Sequence, residues 1–177
     1  MALGASPRGD LSLGAVVPDV AMKAYDGKEY KLSDFRADAE KKREGQVVVV
    51  YFQSEKCPAA IDPDVIKKTT AAWVDPKADV KFLAVYAYPH DTEKNIEKYI
   101  KKNKLAYPCS FDSEKKLRDH FGAKQVNTTY VLDKDGKLVY RGGFTSKDHD
   151  FVVEAVRAAK DGSEPPKSDQ KFAGCGL

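Results

Sequence analysis

Three cysteines carry the covalent chemistry open to this 177-residue chain, and each stands in a different setting. A cysteine attacks as its thiolate, which a helix N-terminus or a neighbouring cation favours because both stabilise the negative charge. The sequence gives Cys57 both features. Lys56 precedes it, and Pro58 suits the first helical position, which would put Cys57 at a cap facing free backbone N–H groups. Ser54 supplies a nearby hydroxyl for a hydrogen bond to the thiolate or to a bound oxygen. Cys109 lies in the short run Tyr107 to Phe111, where a lone cysteine usually packs as a small hydrophobe. Cys175, between Gly174 and Gly176 near the C-terminus, has no core to serve. Three is an odd count, so any disulfide framework leaves a thiol over, and redox or free-thiol chemistry is the expectation.

Other candidates carry less. His90, His120 and His149 are far apart and, with the cysteines, give no structural-zinc spacing. Solvated or helix-surface roles are expected for them, with no metal and no bound cofactor. Pro89-His90-Asp91 follows a strand end and reads as a plain loop.

The elements that must position Cys57 follow from the apolar pattern. Val47 to Tyr51 is an unbroken apolar run, as in a central strand buried on both faces. A helical stretch is expected from Cys57-Pro58 to about Val74, with Pro63 kinking or restarting it. Val80 to Tyr86 reads as a second strand. Thr92 caps a helix to about Lys102, with Ile96, Tyr99 and Ile100 on one face. Tyr107 to Phe111 is a short strand, and Ser113 caps a helix that ends near Gly122. Thr129 to Leu132 and Lys137 to Arg141 flank the turn Asp133-Lys134-Asp135-Gly136, a hairpin signal. A last helix over about 147–160 carries an apolar stripe and stops at Gly162.

Composition narrows the class. Hydrophobic residues make up 42% and charged residues 32%, a globular balance, and no apolar run approaches the roughly 20 residues of a membrane span. The net charge of +3 arises from 30 basic and 27 acidic residues that are interspersed, so neither nucleic acid nor membrane is expected as a partner. Met1 to Leu13 has no apolar signal-peptide core, so the chain as written reads as cytoplasmic, with export after signal removal as the alternative.

This order of elements, with a nucleophile-like cysteine after the first long strand and a hairpin then a helix at the end, resembles the thioredoxin fold. Val17-Pro18-Asp19-Val20, Asp26-Gly27-Lys28 and Leu32-Ser33-Asp34-Phe35 resemble the leading segment of the redoxin group, which includes alkyl hydroperoxide reductase and thiol-specific antioxidant. Val49-Val50-Tyr51-Phe52 running into Cys57-Pro58 resembles its active-site approach. The resemblance implies an α/β thioredoxin-like domain over 14–162, a central mixed sheet flanked by helices. A flexible N-terminus over 1–13 and a flexible tail over 163–177, carrying Cys175, would enclose it.

What the resemblance implies for function is a thiol-dependent oxidoreductase. Cys57 would attack a small peroxide or a disulfide, and Cys175 or an external thiol reductant such as a thioredoxin would resolve the product. Some two-cysteine peroxiredoxins carry the resolving cysteine in a C-terminal segment, which suggests pairing of Cys175 with Cys57, within the chain or between subunits, against an incidental exposed thiol. Ser54 matches the threonine or serine that peroxiredoxins place three residues before their cysteine, and Arg141 matches a peroxide-orienting arginine or else an ordinary surface one. Lys56, Pro58 and Asn127 complete the expected binding residues.

Three positions depart from the pattern. Ala60 stands where a C-x-x-C motif has its second cysteine, so no dithiol cycle can run inside that motif. Val50 takes the place of a peroxiredoxin proline. Val126-Asn127-Thr128 stands where related proteins carry a cis-proline loop, so docking there is expected to differ. The alternative function is a non-catalytic binding module that holds a partner in the groove beside Cys57 and Asn127. Either a monomer or a homodimer is compatible with these features.

Overall fold

Strands β1 (Ala21–Lys23) and β2 (Glu29–Lys31) pair antiparallel across the turn at Asp26-Gly27, where Gly27 takes φ +79°. This computed structural model describes residues 11–167 and 171–177. Most of the expected N-terminal lead and residues 168–170 of the tail lie outside them.

The central sheet has five strands: β3 (Val47–Gln53), β4 (Val80–Tyr86), β5 (Cys109–Phe111), β6 (Thr128–Leu132) and β7 (Leu138–Gly143). Their spatial order is β5-β4-β3-β6-β7, with the first three parallel and β6 and β7 antiparallel to their neighbours. Strand β3 is the middle strand and is buried along its whole length. Because side chains alternate across a strand, Val47, Val49 and Tyr51 join one core and Val48, Val50 and Phe52 the other. That is why its apolar run shows no alternation with polar residues.

Helices α1 (Pro63–Thr70), α2 (Glu93–Asn103) and α4 (Phe151–Asp161) supply Ile66, Ile96, Val152, Ala155 and Val156 to the first core. Helix α3 (Lys116–Phe121) and the N-terminal hairpin cover the other face through Leu117, Phe121, Met22 and Leu32. No helix among the described residues is long and apolar enough to cross a membrane.

Three helix starts differ from expectation. Helix α1 begins at Pro63, capped by Asp62, whose carboxylate accepts the Asp64 N–H at 2.8 Å. A helix running on from Pro58 would need an N–H that Pro63 lacks, and the residue before a proline is driven away from helical angles. Helix α3 is held by Asp112 rather than Ser113, because its two carboxylate oxygens accept from Leu117 N–H and Arg118 N–H at 3.0 and 2.7 Å. Helix α4 starts four residues after the expected position because Thr145 to Asp150 close a local turn, in which Ser146 N–H bonds His149 O at 2.8 Å.

Candidate active site

Strand β3 delivers the chain to the carboxyl end of the parallel strands, where α/β sheets leave a crevice for ligands. Three further segments meet it there. They are the loop after β4 that carries Asp91, the residue before β6, Asn127, and the C-terminal segment 171–177.

Cys57 begins a tight turn, with Ala60 N–H bonding Cys57 O at 3.0 Å, and is only 5% exposed. Since α1 starts at Pro63, neither Cys57 nor Pro58 occupies a helix N-terminus. The backbone amides just before and at the cysteine are held by a polar cluster. Ser54 Oγ accepts from Lys56 N–H and Cys57 N–H, each at 3.0 Å, and gives its own proton to Asp91 Oδ1 at 3.0 Å. Ser54 thus sets the Cys57 backbone, and its single hydroxyl proton is committed away from the sulfur. The Lys56 ammonium pairs with Glu55 at 3.3 Å, so the cation expected to favour the thiolate is partly neutralised by its neighbour.

Asp91, read from the sequence as part of a plain loop, is the anchor of this cluster. Its Oδ1 also accepts from Glu55 N–H and Lys56 N–H at 3.2 Å, and the residue is 4% exposed. Its Oδ2 is buried with no hydrogen-bond partner among the described residues. Burial pushes the Asp91 carboxyl above its ordinary value against the pull of those donors, and the Glu55 charge adds to the rise. A carboxyl with a raised folded-state pKa contributes stability below the ordinary carboxylate range and loses it as pH climbs through the raised value. Asp91→Asn removes that titration. Its unfolding free energy should therefore gain on the wild type as pH rises from the ordinary carboxylate range to neutrality. Urea unfolding of both proteins across that range tests this, and a difference independent of pH would contradict it.

The C-terminal segment lies across the site. Cys175 and Cys57 form a disulfide with Cα atoms 5.8 Å apart, closing 118 residues of sequence. Val126 N–H bonds Cys175 O at 2.8 Å, Leu177 N–H bonds Lys124 O at 3.0 Å, and Gln125 Nε2 donates to Phe172 O at 3.0 Å. Cys175 N–H points at Cys57 Sγ from 3.2 Å, a donor that favours negative charge on that sulfur. Gly174 passes so close to Val126 O that a Cβ would collide with it. Gly174→Ala should displace the segment and weaken disulfide closure by about 1–3 kcal/mol, read as the equilibrium with a glutathione buffer. Wild-type equilibrium in that variant would show that the segment tolerates the collision.

Asn127 has φ +71°, and its side chain reaches both the Cys57 turn and the C-terminal segment. Arg141 lies in β7. It faces Tyr130 in the β6–β7 pairing and donates to Leu11 O at 3.3 Å, tying the N-terminal segment to the sheet. Cys109 is buried, its thiol donates to Tyr107 O at 3.5 Å, and burial pushes the thiol up, away from reactivity at neutral pH. His120 departs from the surface reading: it is 9% exposed, with Nε2 3.0 Å from Pro18 O, because α3 turns it toward the leading segment. No group of metal-binding side chains occurs among the described residues.

Residues 13–141 match the model of the AhpC/TSA family. The chain is 31% identical over 160 residues to the chloroplastic peroxiredoxin Q of Gentiana triflora, covering 84% of this chain and 68% of the relative. It is 23% identical over 150 residues to the thiol-disulfide oxidoreductase ResA of Geobacillus thermodenitrificans, covering 83% and 79% respectively. A hypothetical protein of Sinorhizobium meliloti superimposes with a TM-score of 0.77 at 18% identity, over 95% of this chain and 94% of that one. At that identity the likeness is one of fold, and the fold is thioredoxin-like.

Proposed function

Since this chain belongs to the AhpC/TSA family and is a thiol-dependent oxidoreductase, we propose that Cys57 is its attacking thiolate and Cys175 its resolving cysteine. The non-catalytic alternative gives way to the enzymatic class of these relatives. One observation carries the assignment: Cys57 and Cys175 meet in a disulfide although 118 residues separate them, on a C-terminal segment held by main-chain hydrogen bonds.

With a peroxide, the Cys57 sulfur takes the distal oxygen, the O–O bond breaks, and an alcohol or water leaves with a proton. The Cys175 sulfur then attacks the sulfenic acid, forms the S–S bond and releases water. With a disulfide substrate, Cys57 displaces one thiolate and Cys175 displaces the other, giving the same internal disulfide. An external dithiol, of the thioredoxin kind, returns both cysteines to thiols and becomes a disulfide itself. Cys57 is 5% exposed while Cys175 is partly open, so the incoming thiol meets Cys175 first and the Cys57 sulfur leaves as thiolate. The pair closes within one chain, so the cycle needs no second subunit.

The Ser54 contact favours the disulfide as the better oxidising substrate. The hydroxyl that would orient a peroxide oxygen, that of Ser54, gives its proton to Asp91. Reduced protein mixed separately with hydrogen peroxide and with a small disulfide, with loss of two thiols followed over time, distinguishes them. Faster loss with the disulfide supports this preference, and faster loss with peroxide reverses it. Loss of neither thiol with either oxidant overturns the assignment.

A further inference from the structure

We infer that Asn127 is a positioning residue for the Cys57–Cys175 couple, its amide clamping the Cys57 turn to the Cys175 segment and so setting how readily the disulfide opens. This rests on the proposed reading of that disulfide as the redox couple.

The clamp is nearly symmetric about the sulfurs. One Nδ2 hydrogen goes to Ala59 O at 2.7 Å and the other to Ala173 O at 2.9 Å. Ala59 lies two residues after Cys57, and Ala173 two residues before Cys175. The amide cannot rotate away, because Oδ1 accepts from the buried Tyr51 hydroxyl at 2.8 Å, and Asn127 N–H bonds Phe52 O at 2.8 Å. Every polar atom of the side chain is therefore assigned, in a residue 3% exposed.

Asparagine fits the task for two reasons. Its short side chain carries one acceptor and two donors together, and it is among the few residues at home at φ +71°. When the disulfide opens and the segment leaves, the Ala59 and Tyr51 bonds stay and the Ala173 bond is lost. That loss falls on the open state alone, so the amide biases the couple toward closure.

The test is the equilibrium of the couple with a glutathione buffer, read by alkylation and mass spectrometry on full-length wild type, Asn127→Gly and Asn127→Asp. Glycine keeps the positive φ and deletes the clamp. Aspartate keeps the shape and sets one oxygen against both carbonyls in place of Nδ2. Asn127→Gly should be easier to reduce by about fivefold and Asn127→Asp by about tenfold or more, where tenfold is about 30 mV for this two-electron couple. Hydrogen exchange of residues 171–177 in the oxidised proteins should be faster in both variants than in wild type. Far-UV circular dichroism checks that each variant is folded. A wild type that cycles beside folded variants with its equilibrium constant and exchange rate overturns the clamp alone. A wild type that cannot be reduced and reoxidised overturns the functional reading and the clamp with it.

Discussion

Cys57→Ser is expected to lower substrate-dependent turnover by about a thousandfold or more, to the background of the uncatalysed reaction. Serine keeps the size and the backbone N–H that bonds Ser54 Oγ, so the turn survives, but a hydroxyl forms neither sulfenic acid nor a disulfide. Part of any change in behaviour will come from losing the crosslink. Cys175→Ser loses the same crosslink and retains the nucleophile, so comparing the two separates chemistry from stability. Turnover retained in Cys57→Ser would remove the cysteine from the centre of the mechanism. Cys109→Ala, altered in a buried and unreactive position, should affect turnover far less.

The second large effect belongs to Cys175→Ser. Closing a loop of 118 residues restricts the unfolded chain by about 5 kcal/mol on loop-entropy grounds, of which disulfides commonly deliver about 2–4. A chain of this size should then melt roughly 5 to 15 °C lower without the bond. Adding a dithiol should bring wild type down to the same temperature and leave Cys175→Ser unmoved. Under peroxide, Cys57 in the variant has no internal partner and should pass on to sulfinic acid, or be captured by an added thiol, where wild type stops at the disulfide. Equal melting temperatures and equal over-oxidation in the two proteins would deny Cys175 both roles.

The scaffold was the more legible part of this chain. The runs at Val47 and Val80 and the turn at Asp133 to Gly136 are local signals, and the structure keeps them as β3, β4 and the β6–β7 hairpin. What surrounds the thiol was harder to read because it depends on competition and on long-range contacts. Pro58 carries the mark of a helix start, yet Asp62-Pro63 carries a stronger one, and this offset leaves Cys57 in a turn ahead of the helix instead of at its N-terminus. Lys56 looks like a cation for the thiolate until Glu55 takes its charge. Asp91 lies 34 residues beyond Cys57 and has no motif, so only the parallel pairing of β3 with β4 reveals it beneath the Cys57 loop. Asn127 is recognisable from sequence only as the occupant of an unusual position, since its partners Tyr51, Ala59 and Ala173 come from three distant segments. The Cys57–Cys175 pairing came from family resemblance, and no pattern in the intervening residues encodes it.

Peptide mapping after mild oxidation at low protein concentration tests the proposed cycle most directly. Reduced protein is treated with one equivalent of oxidant, free thiols are blocked, and the digest is searched for crosslinked peptides in the monomer fraction. One dominant product is expected, the peptide of Cys57 joined to that of Cys175, reversible with a dithiol, with Cys109 alkylated only after unfolding. Absence of that linkage in the monomer, with Cys57 reaching sulfinic acid as fast in wild type as in Cys175→Ser, would contradict it.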